Sequence, residues 1–196
     1  MVGTVDRSRK IGGSIAVLGY LAGALVRFVP HVWNAVPFGA ATLVGGASLG
    51  PVFSMASLFG TLFVTDLFLW LLKYRALGFA PFGWSTLFVY GGYVGYVVAG
   101  WMLRRRSRWP LVPVAALGGS VFFFLVSNFG VWVSGGYPRT LDGLLQCYAA
   151  AIPFYRGTLL GDIVYSVIFF AVWFVLDRIT QPVESVENRP SEEPAE

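Results

Sequence analysis

Six apolar segments, separated by Gly/Pro breaks or short basic loops, leave this chain few ways to fold. They run over residues 11–29, 37–50, 52–72, 84–103, 111–134 and 158–177. A helix needs about 20 mostly apolar residues to cross about 30 Å of hydrocarbon, and all but the second segment come close. The second is too short at about 1.5 Å per residue. A half-span helix, a tilted one, or one completed by the residues before Pro37 is predicted there.

Charge content decides the class. Only 12% of residues are charged and 56% are hydrophobic, against about 25% charged in a soluble domain, so an integral membrane protein is expected. The arginines sit at segment ends rather than in one patch, which excludes nucleic acid as a partner. Residues 1–10 form a polar, basic cytoplasmic arm, 11–178 the six-helix transmembrane domain, and the Pro/Glu-rich stretch 179–196 a disordered cytoplasmic tail. Ala22-Gly23-Ala24 resembles a secretory cleavage site. The apolar run continues past it through Val26 and Val29, which favours a retained helix.

Basic residues set the expected orientation. Arg7, Arg9, Lys10, Arg104, Arg105, Arg106, Arg108, Arg178 and Arg189 fall on one side of a six-span chain, and Lys73, Arg75, Arg139 and Arg156 on the other. That bias puts both termini in the cytoplasm of a cell (inner) membrane. Gly50-Pro51 is expected to end the second helix and start the third almost without a loop, Gly as C-terminal cap and Pro as first helical residue. Residues 135–157 are expected to form an external connection, with the apolar middle 141–152 lying on the bundle as a short helix or re-entrant segment.

With that orientation each intramembrane polar residue acquires a depth. Arg27 falls near the outer end of the first helix, Asp66 near the outer end of the third and Asn128 in the outer third of the fifth. Asp162 falls in the first outer turn of the sixth, and His31, Trp33 and Asn34 in the first external loop. Buried charges in a membrane face a cavity or a partner. Asp66 with Trp70 and Asn128 with Trp132 are i, i+4 pairs on one helix face, with Leu62 and Phe124 continuing those stripes inward; Asp162 with Tyr165 is an i, i+3 pair. An apolar floor, aromatic walls and a few polar hooks suit a flat organic solute. The competing readings are an interfacial aromatic belt for the tryptophans and helix-to-helix pairing with Arg27 for the aspartates. Gly19 and Gly23, with Ala16 one turn earlier, make a small-residue stripe for close helix approach, inside the chain or against another subunit. Lone Cys147 reads as a small apolar residue or a soft-metal ligand, and His31 has no second histidine to share a metal. No Walker-type glycine loop, no HExxH pair and no aspartyl-protease flanking pattern surrounds Asp66 or Asp162, so no enzyme is expected.

The order of features resembles a known architecture. A small-residue first helix leads to an external loop with Trp and Asn. The short glycine-rich PFGAATLVGGASLGP then turns into a helix ending in Asp, and a glycine-rich fourth helix, a basic loop and two last helices follow. This resembles the substrate-binding S components of energy-coupling-factor vitamin transporters. The segment GLLQCYAAAIPFYRGTLLGD is similar to an uncharacterised family of small bacterial six-helix membrane proteins often labelled transport proteins. The resemblance covers about residues 11–178 and implies an all-α, polytopic, S-component-like bundle. It implies that Ala16, Gly19 and Gly23 contact the transmembrane subunit of an energy-coupling ATPase module. The expected function is binding and uptake of a small ring-containing, vitamin-like micronutrient through an outward-facing pocket of Arg27, Trp33, Asn34, Asp66, Trp70, Asn128, Trp132, Asp162 and Tyr165. No cofactor or metal is expected, and the partners are the solute, membrane lipid and the coupling module. The alternative is a non-transport membrane protein, either a structural subunit or an intramembrane enzyme.

Overall fold

A computed structural model describes residues 2–29, 35–78, 80 and 82–180. Trp33, Asn34, His31 and residues 181–196 lie outside the described residues. The described chain is all helical: α1 (Val2–Val26), α2 (Phe38–Ser48), α3 (Pro51–Leu69), α4 (Trp84–Gly92), α5 (Val94–Met102), α6 (Val112–Val131) and α7 (Leu141–Ile179). Stretches Asp6–Val26, Pro51–Tyr74, Arg108–Gly136 and Leu141–Ile179 are each long and apolar enough to cross a membrane. Phe53, Phe63 and Leu72 on α3 and its continuation, and Leu117 and Leu125 on α6, face outward, as lipid-facing side chains do. The protein is a helical membrane protein.

The short α2 is the axis of the bundle. Every residue from Phe38 to Ser48 is buried, and α2 touches α1, α3, α5, α6 and α7. Its composition permits this, because Gly and Ala let neighbouring backbones approach on all sides. A Cβ at Gly46 would lie 2.5 Å from the Val97 carbonyl oxygen and 3.1 Å from the Trp101 nitrogen, and one at Gly100 would run into the Leu43 carbonyl. The α2–α5 contact is therefore backbone against backbone. Gly50 takes φ +86° between α2 and α3, with Pro51 opening α3, as the Gly-Pro pair predicts.

The small-residue stripe on α1 is used inside the chain. Ala16 is fully buried, Gly19 faces Phe169 and Ala41, and Gly23 faces the Phe38 ring. The close approach these residues permit is taken up by α2 and α7, which is the packing inside the chain that the stripe predicts as one of its two readings.

Two segments depart from the sequence-based expectation. The fourth apolar segment is two nine-residue helices, broken at Tyr93. There the Tyr93 amide turns back to the Tyr90 carbonyl at 3.2 Å, and Gly92 lies against Phe123 of α6. Residues 135–157 are expected as an external connection with 141–152 a short helix or re-entrant segment; a helix does start there, but as the first turns of the 39-residue α7, which runs on through Pro153. Thr140 starts this helix: its side chain accepts from the Gly143 amide at 3.1 Å, and Asp142 adds a negative charge in the first turn, where the helix dipole favours it. Asp162 is consequently near the middle of its helix rather than in a first turn. At the opposite end of α7, the Trp173 indole donates to the Ser8 carbonyl at 2.9 Å, tying α7 to the start of α1.

Candidate functional site

Arg27, Asp66 and Tyr90 converge at one end of the bundle. Arg27 follows α1, Asp66 lies in the last turn of α3 and Tyr90 in α4. The α3 face that points inward carries Ser54, Leu58, Leu62 and Thr65 at helical spacing, so Asp66 emerges beside this stripe toward α1 and α4. One Asp66 oxygen pairs with the Arg27 guanidinium. The other accepts from the Tyr90 hydroxyl at 2.7 Å. Arg27 also donates to the Thr65 hydroxyl at 2.5 Å. A guanidinium has five N–H donors in a planar fork, so these contacts leave donors for another acceptor.

After Asp66 the helix widens into a π-helical turn over Trp70–Tyr74, in which the Arg75 amide reaches back to the Trp70 carbonyl at 2.8 Å. Such turns re-aim side chains and recur at functional sites. Here the turn carries Trp70 and Tyr74 to the mouth of a cavity of about 360 Å³, which Arg27, Asp66, Thr86 and Tyr90 also line. The Thr86 hydroxyl accepts from the Gly83 amide at 3.2 Å and closes the start of α4. The cavity combines a charged pair, hydroxyls and two aromatic faces, and its volume lies in the range of about 300–1,000 Å³ typical of small-molecule sites.

The structure brings together Arg27, Asp66 and Trp70 from the sequence-based set. Asn128 is elsewhere: its amide donates to the Phe124 carbonyl at 2.8 Å, and it lines a separate cavity of about 220 Å³ with Phe123, Phe124, Phe154 and Tyr155. The Trp132 indole donates to the Pro138 carbonyl at 2.8 Å and its ring rests 5.5 Å from that of Phe129, so it follows the interfacial pattern. Tyr165 packs beside Phe169 with ring centroids 6.3 Å apart and lines none of these cavities. Asp162 is not joined to Arg27; it accepts from the Tyr96 hydroxyl in a third, smaller cavity of about 150 Å³. The expectation of one pocket holding all of these residues is corrected accordingly. Cys147 is buried, with its sulfur 3.4 Å from the Asn128 carbonyl, and among the described residues no group of three His, Cys, Asp or Glu side chains could hold a metal.

The residues that sequence reasoning missed are tyrosines. Tyr90, Tyr93 and Tyr96 recur every third residue across the α4–α5 break. The first donates to Asp66 and the last to Asp162. A tyrosine recurring at i+3 and i+6 in a glycine-rich span was the available signal, since a buried phenol needs an acceptor.

No curated protein and no solved structure matches the chain. A family model does match, over residues 9–184, and the chain belongs to that family of unknown function, DUF6580.

Proposed function

We propose that this protein is a six-pass membrane protein of the cell (inner) membrane that binds a small ring-containing, vitamin-like micronutrient for uptake. Both termini face the cytoplasm, and the architecture is S-component-like. The observation that carries the proposal is the cavity at the Arg27–Asp66–Tyr90 cluster. It is large enough for such a solute, walled by Trp70 and Tyr74 for ring stacking, and equipped with spare guanidinium donors for a carbonyl or carboxylate. Uptake proceeds by rocking of the bundle, alone or driven by an energy-coupling ATPase module. The protein has no catalytic role in this reading.

Native mass spectrometry of the detergent-purified protein tests the proposal. A co-purifying adduct of small-molecule mass is expected, lost in Trp70→Leu while the protein remains monodisperse. Adducts of lipid mass alone would instead favour a structural subunit, in which Arg27–Asp66 serves only to pair helices. Orientation has its own test. A reporter after Glu196 should be active only in the cytoplasm and one inserted near Gly136 only outside; the reverse pattern would turn the cavity inward.

A further inference from the structure

Asp162 is the most deeply buried carboxylate of the bundle interior and takes no part in the Arg27–Asp66 cavity. It is 3% exposed, and two of the hydroxyl-bearing residues around it, Tyr96 on α5 and Ser120 on α6, are 1% and 0% exposed. Asp162 and Ser120 fall near the middle of α7 and α6, and Tyr96 lies three residues past the break at Tyr93. One carboxylate oxygen accepts from Tyr96. The other lies against Gly39 in the first turn of α2, where a side chain would displace it. Among the described residues the ion pairs are Lys10–Asp6 and Arg27–Asp66, so no Lys, Arg or His compensates Asp162. An isolated ionised carboxylate is very costly in a low-dielectric interior and is neutralised there. The surroundings offer hard oxygen donors for a small cation: the carboxylate, the Tyr96 and Ser120 hydroxyls, and Thr158 at the cavity wall. One carboxylate balances one positive charge, which matches a monovalent ion and not a divalent one.

Size separates this place from the solute cavity. At about 150 Å³ it falls below the range of about 300 Å³ and upward that holds organic ligands. It has room for an ion and a few waters, at about 30 Å³ of liquid volume each. The neighbouring 220 Å³ cavity shares Phe123 and Thr158 with it and extends to Asn128 near the end of α6.

We propose that Asp162, with Tyr96, Ser120 and Thr158, forms a binding site for a monovalent cation, a proton or a sodium ion, whose occupancy is coupled to the solute cavity through the broken helix at Tyr93. The coupling, though not the cation site itself, rests on the uptake reading above. Tyr93 is buried in the break between the two sites, within electrostatic reach of Asp162, Arg27 and Asp66. The groups facing Asp162 are Tyr96 from α5, Tyr93 from the break, Ser120 from α6, Tyr155 and Thr158 from its own helix, and the uncharged Gly39 from α2. Discontinuous helices meeting near the midplane are where membrane transporters hold coupling ions. With a proton the carboxylate becomes a neutral acid; with sodium the carboxylate stays ionised and the ion supplies the compensating charge.

Infrared difference spectroscopy of the purified protein in sodium chloride and in choline chloride, over a pH series, reads the site directly. A carboxylic-acid C=O band that grows as pH falls and is absent in Asp162→Asn is expected. Indifference of that band to sodium identifies the proton as the ligand, and its loss on adding sodium identifies sodium. If Asp162→Asn does not fold, Tyr96→Phe answers the same question. Removing a donor to the charged form should move the midpoint of the band by about one pH unit, a tenfold change in proton affinity. No Asp162-dependent band responding to pH or sodium, or a band unmoved by Tyr96→Phe, overturns the proposal. The solute adduct is read without touching Asp162, so each reading can fail alone.

Discussion

Gly100→Ala should unfold or disperse the bundle, the largest effect expected from adding a single methyl group to this protein. The new Cβ would meet the Leu43 carbonyl, which is backbone of the central helix. No side-chain rotation relieves such a clash, so α2 and α5 must separate. Overpacking a core costs about 1–3 kcal/mol when side chains can yield, and occasionally more; with backbone on both sides we expect the upper end or beyond. Gly46→Ala meets Val97 and Trp101 from the other helix and should behave alike. Gly60→Ala is the control. It opens onto free space in α3, and Ala in a helix interior is favoured over Gly by about 0.5–1 kcal/mol. The check is the apparent melting temperature in detergent, with the size-exclusion profile. Equal stability of Gly100→Ala and Gly60→Ala would contradict a backbone-to-backbone core.

A thermodynamic cycle at Arg27 and Asp66 should show strong coupling. Removing one partner of a buried ion pair costs about 3–5 kcal/mol, because the other charge is left uncompensated. The side chains here are 25% and 17% exposed, so about 3 kcal/mol is expected for Asp66→Asn. Adding Arg27→Leu should recover part of that loss, and the non-additivity measures the pair. Asp66 also accepts from Tyr90, so Arg27→Leu alone should be milder than Asp66→Asn. Strictly additive losses would mean that the two charges are separately solvated.

Much of the fold was legible because hydrocarbon leaves little freedom along the chain. Apolar runs located the four long apolar helices, Gly50-Pro51 located a turn, and small residues marked α1 for close packing. The level of Arg27 and Asp66 was legible too, since they were placed side by side and they meet, but that of Asp162 was not. Rotation about each helix axis was not. Asp162 carries the same carboxylate as Asp66 and Asn128 a polar amide at a similar expected depth, yet one points at Tyr96 and the other folds back on its own helix. Which stripe faces which neighbour is decided by the packing of all the helices together, and one sequence does not encode it locally. The start of α7 was not legible either: the external connection was placed over 135–157, whereas the helix begins at Leu141 and passes through Pro153. A proline forfeits one helical hydrogen bond, but membrane helices tolerate it where neighbours re-satisfy the backbone. The Thr140 cap marks where α7 begins.

The length of α7 carries a consequence for where this protein can reside. At about 1.5 Å per residue, its 39 residues extend about 58 Å, nearly twice the thickness of about 30 Å that the acyl chains provide. Tilts of up to about 40° do not absorb such an excess. Leu141, Leu145, Ile152 and Phe154, all exposed near its start, must then lie among the headgroups or draw the bilayer up around them. The free energy of the whole bundle thereby becomes a function of lipid chain length, and thin and thick membranes would favour different tilts of the helix that bears Asp162.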